Sequence, residues 1–132
     1  MKKKITEELD YIFKPKSIAV IGASDTFRKW GYLMVERPLK TGFKGAIYPI
    51  NPSKGEILGL PTYPSVSAVP GAIDLAVITT PAATVPGVLR DCIEKGIKGA
   101  VVISAGFAEV GEEGRGFEHA MVEVARSGGI RL

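Results

Sequence analysis

One stretch constrains the fold of this chain more than any other: residues 17–31, SIAVIGASDTFRKWG. After Ser17 the run Ile18, Ala19, Val20, Ile21 is apolar and rich in β-branched residues, the pattern of a strand covered on both faces of a parallel sheet. It ends at Gly22, which can adopt backbone angles closed to other residues. Ala23 and Ser24 are small enough for an anion to approach backbone N–H groups, and a following helix aims its positive end at the same place. Gly22, Ala23 and Ser24 are thus candidates for binding a nucleotide phosphate. The stretch is not the dinucleotide fingerprint, which needs glycine where Ser24 and Phe27 stand; the next glycine is Gly31. It is not a P-loop either, because no Gly-Lys-Ser/Thr follows. A glycine after a first strand also serves as a plain turn residue.

The remaining segments alternate strand and helix. Thr6 to Phe13 reads as a short entry helix, with Thr6 as N-cap, Glu7 and Glu8 in its first turn and Pro15 closing it. Trp30 to Lys40 reads as a helix carrying Leu33, Met34 and Leu39, ended or kinked by Pro38. Gly45 to Asn51 is a second strand, and Pro49 inside it points to a sheet edge or a bulge. Gly55 to Pro70 is a loop rich in Gly, Pro and Ser. Ile73 to Thr79 is a third strand, followed by Thr80 and Pro81, where proline suits a helix start. The next helix, to Lys95, places Val85, Val88, Leu89 and Cys92 at helical spacing, so Cys92 reads as a core residue rather than a nucleophile. Gly99 to Ser104 is a fourth strand, and Ala105 to Gly114 is a glycine-rich loop. A last helix over Arg115–Arg126 buries Phe117, Ala120, Met121, Val124 and Ala125, leaving His119 on the surface beside Glu123. Gly128 and Gly129 cap it, and Ile130 to Leu132 begins a fifth strand.

This order predicts an α/β fold, a Rossmann-like doubly wound parallel sheet forming a single domain over residues 1–132, with residues 1–14 as the entry helix. Ligands of such sheets bind at the carboxyl ends of the strands, so the loops after strands one to four should converge on one crevice. The second strand ends in Asn51 and Pro52 with Lys54 after them. NAD-binding folds place an acidic residue there, whereas a lysine suits a ribose that carries an extra phosphate.

Composition narrows the partners. Of 132 residues, 45% are hydrophobic, enough for a proper core. Lys and Arg number 17 against 14 Asp and Glu, but beyond Lys2, Lys3 and Lys4 the basic residues are dispersed, with no aromatic-interleaved stripe, so no nucleic acid partner is expected. No apolar run reaches membrane-spanning length, no membrane partner is expected, and the N-terminus lacks the apolar region of a signal peptide. The lone Cys92 rules out an internal disulfide framework and fits a reducing compartment; a cytoplasmic location is expected.

Five separated pieces, SIAVIGAS, YPINP with Lys54, IDLAVITTPA, VVISAGFAEVG and GGIRL, occur in one order across nearly the whole chain. Together they resemble the CoA-binding domain of the NDP-forming acyl-CoA synthetases, the family of the succinyl-CoA synthetase alpha subunit and the ADP-forming acetyl-CoA synthetases. The resemblance implies a coenzyme A or acyl-CoA site at the crevice. Gly22, Ala23 and Ser24 would approach the diphosphate, and Asn51, Pro52 and Lys54 would receive the adenosine and its 3′-phosphate. Thr80 and Pro81 would line the pantetheine path, with Ser104, Ala105 and Gly106 near the thiol.

The resemblance also carries limits. The Gly-Pro-Asn segment expected after GGIRL and the phosphorylated histidine beyond it are not in the sequence, and His119 does not match that histidine. There is no grasp-type ATP domain. The expectation is therefore a domain that is non-catalytic by itself, with no catalytic or metal-binding residues, working with the remaining domains or subunits of an acid-thiol ligase. A rival is a CoA-sensing regulatory module of a multidomain protein such as a lysine acetyltransferase. An NAD(P)-binding oxidoreductase domain is disfavoured by Ser24, Phe27 and Asn51.

Overall fold

The structure, a computed structural model, describes residues 14–27, 29–53, 55–103 and 112–132. The entry helix expected over Thr6–Phe13 lies outside the described residues.

The first strand, β1 (Ser17–Ile21), is followed by helix α1 (Trp30–Lys40) and by β2 (Ala46–Ile50). A small hairpin of β3 (Glu56–Ile57) and β4 (Leu60–Pro61) comes next, then a single 3₁₀ turn at Val66–Ala68 and β5 (Leu75–Ile78). Another 3₁₀ turn, Ala82–Thr84, leads into α2 (Val85–Lys95), β6 (Gly99–Val102) and α3 (Glu112–Gly128). The main sheet has the order β2-β1-β5-β6, every pair parallel, with Ile18 opposite Ile47 on one side and Leu75 on the other. Arg131 forms an isolated parallel bridge with Gly99, one step beyond β6, which is all of the expected fifth strand that the chain reaches.

The unbroken apolar run of β1 is explained by burial on both faces. Ala19 and Ile21 point into a core with Ile50, Ala76 and Ile78, covered by Val85, Leu89 and Cys92 of α2 and Ala125 of α3. Ile18 and Val20 point the other way, to Ile47, Leu75, Val77 and Val35 of α1. Helices thus lie on both faces, as the doubly wound reading requires. Crossovers to β2 and to β6 run in opposite directions from the middle of the sheet, so the strand order reverses between β1 and β5. Open α/β sheets bind ligands at such a switch point.

Pro49 sits in the edge strand. Its carbonyl accepts the Tyr63 N–H at 3.0 Å on the side away from β1, so its missing N–H also faces outward and the β1–β2 ladder loses no bond.

Several boundaries differ from the sequence reading. The first helix is not among them: α1 spans Trp30–Lys40 as read, with Pro38 in its last turn, where a proline removes a single helical bond. The segment read as loop contains the β3–β4 hairpin, whose turn places both Leu58 and Gly59 at positive φ. Helix α3 starts at Glu112, and Gly128 belongs to it rather than capping it. The stop is Gly129 (φ +72), after which the Ile130 N–H returns to the Ala125 carbonyl at 3.1 Å.

Candidate functional site

The carboxyl ends of β1, β2 and β5 open into a cleft of about 660 Å³, within the range of small-molecule sites. Gly22 begins its floor at φ +88, and a Cβ there would lie 2.6 Å from Thr79 Oγ1. Thr79 closes this contact from the β5 side: its N–H and its hydroxyl both donate to the Ile21 carbonyl at 2.9 Å. The turn after β1 is thereby fixed to the end of β5.

The backbone donors of the glycine turn are not all available to an anion. The N–H groups of Gly22 and Ala23 both donate to the Ile50 carbonyl at 3.2 Å, so these two donors are already engaged within the protein. Ser24 differs. Among the described residues its N–H donates to no protein acceptor, and its Oγ accepts the Thr26 N–H at 3.0 Å, leaving the hydroxyl proton to donate elsewhere. Asn51 has a scaffold task, since its Nδ2 donates to the Ala23 carbonyl at 2.9 Å while its Oδ1 accepts the Ser53 N–H at 2.7 Å. The carboxamide ties the loop after β2 to the turn after β1. A carboxylate could not make the first of these bonds, which gives a structural reason for asparagine where NAD-binding folds carry an acid.

Three residues at the start of α1 also line the cleft, namely Lys29, Trp30 and Gly31. Lys29 is the N-cap; no side chain caps this end and no acidic residue lies in its first turn. A lysine at the positive end of a helix is electrostatically unfavourable until an anion joins it. Lys29 is exposed and takes part in no ion pair among the described residues. Gly31 brings the helix onto the turn: a Cβ on it would lie 2.1 Å from the Gly22 carbonyl oxygen. Ile21, Ile50, Val66 and Val88, which belong to one hydrophobic cluster, line the cleft as well, with Pro64, Ser65, Pro81 and Asp91. One part of the cleft is therefore cationic and rich in donors, and another is apolar.

Of the residues singled out from sequence, Gly22, Ala23, Ser24, Asn51, Pro52, Thr80 and Pro81 line this one cleft. Thr80 Oγ1 accepts the Thr84 hydroxyl at 2.8 Å at the entrance to α2. Lys54, Ser104, Ala105 and Gly106 lie outside the described residues. Lys29, Trp30, Gly31, Thr79, Ser65 and Asp91 were not foreseen. Gly31 and Lys29 could have been suspected from a glycine and a lysine at a helix start, whereas Ser65 and Asp91 reach the cleft only through the fold. Cys92 is fully buried; burial, with the Asp91 charge adding to it, pushes its thiol up to about 12, so it is no nucleophile at neutral pH. His119 is exposed, with Nε2 3.3 Å from Glu123 Oε1, as the surface reading expects. Among the described residues no cluster of His, Cys, Asp and Glu could hold a metal ion, and no helix is long and apolar enough to cross a membrane.

Residues 16–132 match the family model of the CoA binding domain. The chain belongs to this family. It is 47% identical over 125 residues to the acetate–CoA ligase (ADP-forming) II of Archaeoglobus fulgidus, covering 95% of this chain and 19% of that protein. The acetate–CoA ligase (ADP-forming) of Methanocaldococcus jannaschii is 50% identical over 125 residues, covering 95% of this chain and 17% of that protein. Among solved structures, the dinucleotide-forming acetyl-coenzyme A synthetase 1 of Ca. Korarchaeum cryptofilum, in complex with phosphate and ADP, superposes with a TM-score of 0.87 at 46% identity. That match covers 93% of this chain and 26% of the solved one. The Rossmann-like parallel sheet is thus that of a CoA-binding domain homologous to part of the ADP-forming acyl-CoA synthetases. The chain spans between 15% and 28% of the length of these curated ligase relatives.

Proposed function

We propose that the chain binds coenzyme A or an acyl-CoA in the cleft at the ends of β1, β2 and β5, as the CoA-binding domain of an NDP-forming acyl-CoA synthetase. The observation that carries this reading is the division of the cleft into two regions, in a domain of the CoA-binding family. Ser24, Lys29 and the uncapped start of α1 suit the diphosphate, while Ile21, Ile50, Val66 and Val88 suit the apolar parts of the pantetheine arm. Thr80 and Pro81 border that path. Lys54, close after Asn51 and Pro52 in sequence, is assigned to the 3′-phosphate, and Ser104, Ala105 and Gly106 to the thiol end.

In the whole ligase, on this reading, the CoA sulfur attacks the carbonyl carbon of an acyl phosphate formed elsewhere. The carbon–sulfur bond forms, the carbon–oxygen bond to phosphate breaks, and phosphate leaves. This chain's part is to hold the thiol carrier. The remaining domains or subunits supply the acyl phosphate, so the pure chain is expected to form no thioester from acid, ATP and CoA. Detecting that product would refute this division of labour.

Calorimetric titration with CoA, 3′-dephospho-CoA and NAD tests the binding itself. A charge-assisted contact to a phosphate contributes on the order of 1.5–3 kcal/mol, so CoA should bind roughly tenfold or more tighter than its dephospho form at low salt. Lys54→Ala should erase most of that preference. Equal affinities for the two forms would remove Lys54 from the site, and tighter binding of NAD than of CoA would overturn the functional reading.

A further inference from the structure

Trp30 is the only tryptophan in the chain and one of its most exposed large side chains, at 56%. Exposed apolar residues scattered over a surface need no explanation, but this one lines the cleft. Its backbone is held firmly: it is the first residue of α1, and the next residue, Gly31, lies against the Gly22 carbonyl with no room for a Cβ. Among the described residues its indole stacks on no other ring. The neighbouring Phe27 packs edge-on against Tyr32 instead, with ring centroids 5.6 Å apart and planes at 70°. Among the described residues a wide π surface therefore stands in the cleft wall without a ring partner, between Lys29 and Gly31, the residue that packs against the Gly22 carbonyl and the Ser24 nitrogen.

We propose that Trp30 is the stacking platform for the purine base of the ligand. The inference rests on the CoA reading and deepens it, because it assigns the base to the wall formed by α1. The chemistry favours a base over an aliphatic group. Every nucleobase offers a π face to an aromatic side chain, and the ligand's phosphates would meet the cationic, uncapped helix end next to that face. An aliphatic chain has a better place among Ile21, Ile50, Val66 and Val88.

The sole tryptophan makes the test direct. The intrinsic fluorescence of the 132-residue chain is titrated with CoA, with adenosine 3′,5′-bisphosphate and with 4′-phosphopantetheine, and affinities are measured in parallel by calorimetry. Adenosine bisphosphate and CoA should both change the Trp30 emission, and phosphopantetheine should leave it unchanged. Trp30→Ala should weaken CoA and adenosine bisphosphate roughly five- to hundredfold, the range of base–aromatic stacking, and leave phosphopantetheine affinity intact. Trp30→Phe should retain most of the binding, and unchanged circular dichroism would show that both variants fold. Unchanged CoA affinity in Trp30→Ala overturns the proposal while the CoA reading stands, and so does an equal loss for both halves of the ligand. A chain that binds adenosine bisphosphate with the emission change but does not bind CoA keeps the platform and removes the CoA reading. Failure of all three ligands to bind removes both.

Discussion

Replacing Gly31 with alanine is the sharpest test of how the cleft is built. The added Cβ would lie 2.1 Å from the Gly22 carbonyl oxygen, 3.0 Å from its carbon and 3.1 Å from the Ser24 nitrogen. Ordinary contact begins near 3.4 Å, so the helix start and the glycine turn must part by about 1 Å. Both sides of the clash are backbone, and no change of rotamer relieves it. Overpacking of this kind costs about 1–3 kcal/mol, here toward the upper end, against a helix-propensity gain of about 1 kcal/mol for alanine. The expected net loss is about 2 kcal/mol, read as a lower urea midpoint at constant slope. Displacing α1 also moves Lys29 and Trp30 relative to Ser24, so CoA should bind at least tenfold more weakly. Gly87→Ala in α2 is the matched control, because nothing lies within 4 Å of its added Cβ. That change should stabilise the chain by about 0.5–1 kcal/mol and leave CoA affinity unchanged. A Gly31→Ala chain as stable as the wild type, with unaltered CoA affinity, would refute the argument that this close approach shapes the site.

Other outcomes follow from single contacts. Asn51→Asp turns the donor facing the Ala23 carbonyl into a second acceptor, so stability should fall by about 1–3 kcal/mol and no gain in NAD affinity should appear; a neutral change in the urea midpoint would show that the carboxamide bridge contributes nothing. Cys92 should resist a thiol reagent in the native chain at pH 8 and react on unfolding, and fast native reaction would contradict its burial. Its ionisation sets a pH dependence as well. The thiol pKa stands at about 12 when folded against 9.0 for the free group, so the unfolded chain loses this proton first and stability declines as pH rises through that window. Comparing the wild type with Cys92→Ala isolates this slope from other groups, and identical slopes would refute it.

Most of the scaffold was legible because burial writes itself into apolar runs. Ile18 to Ile21 and Leu75 to Ile78 are covered on both faces, so each reads as a continuous hydrophobic strand. Pro49 announced the edge because its missing N–H must face outward. What escaped the reading depended on geometry rather than pattern. The β3–β4 hairpin turns through Leu58 at φ +51, a conformation that leucine does not advertise. In sequence Gly31 reads as a departure from the dinucleotide fingerprint, yet it brings helix and turn together in the way that fingerprint's last glycine does, at a different spacing. Asp91 and Ser65 reach the cleft only because α2 and the segment before β5 pack where they do.

The hydrogen bonds of the cleft say something further about how it recognises an anion. Because Ile50 accepts from both Gly22 and Ala23, and Asn51 bonds to the Ala23 carbonyl, the glycine turn is satisfied without any ligand. A turn completed by the protein is already in place before a ligand arrives, so binding need not include the entropy of ordering it. Among the described residues, recognition of charge then falls to groups that the turn leaves open: the Ser24 N–H and its hydroxyl proton, the uncapped end of α1, and Lys29. Of these only Lys29 carries a full charge, and it is exposed. Its attraction to a phosphate is therefore screened by salt far more than a buried pair would be. A preformed, neutral turn beside an exposed lysine thus makes shape independent of ionic strength and affinity sensitive to it, and the two contributions separate when CoA is titrated across a salt series.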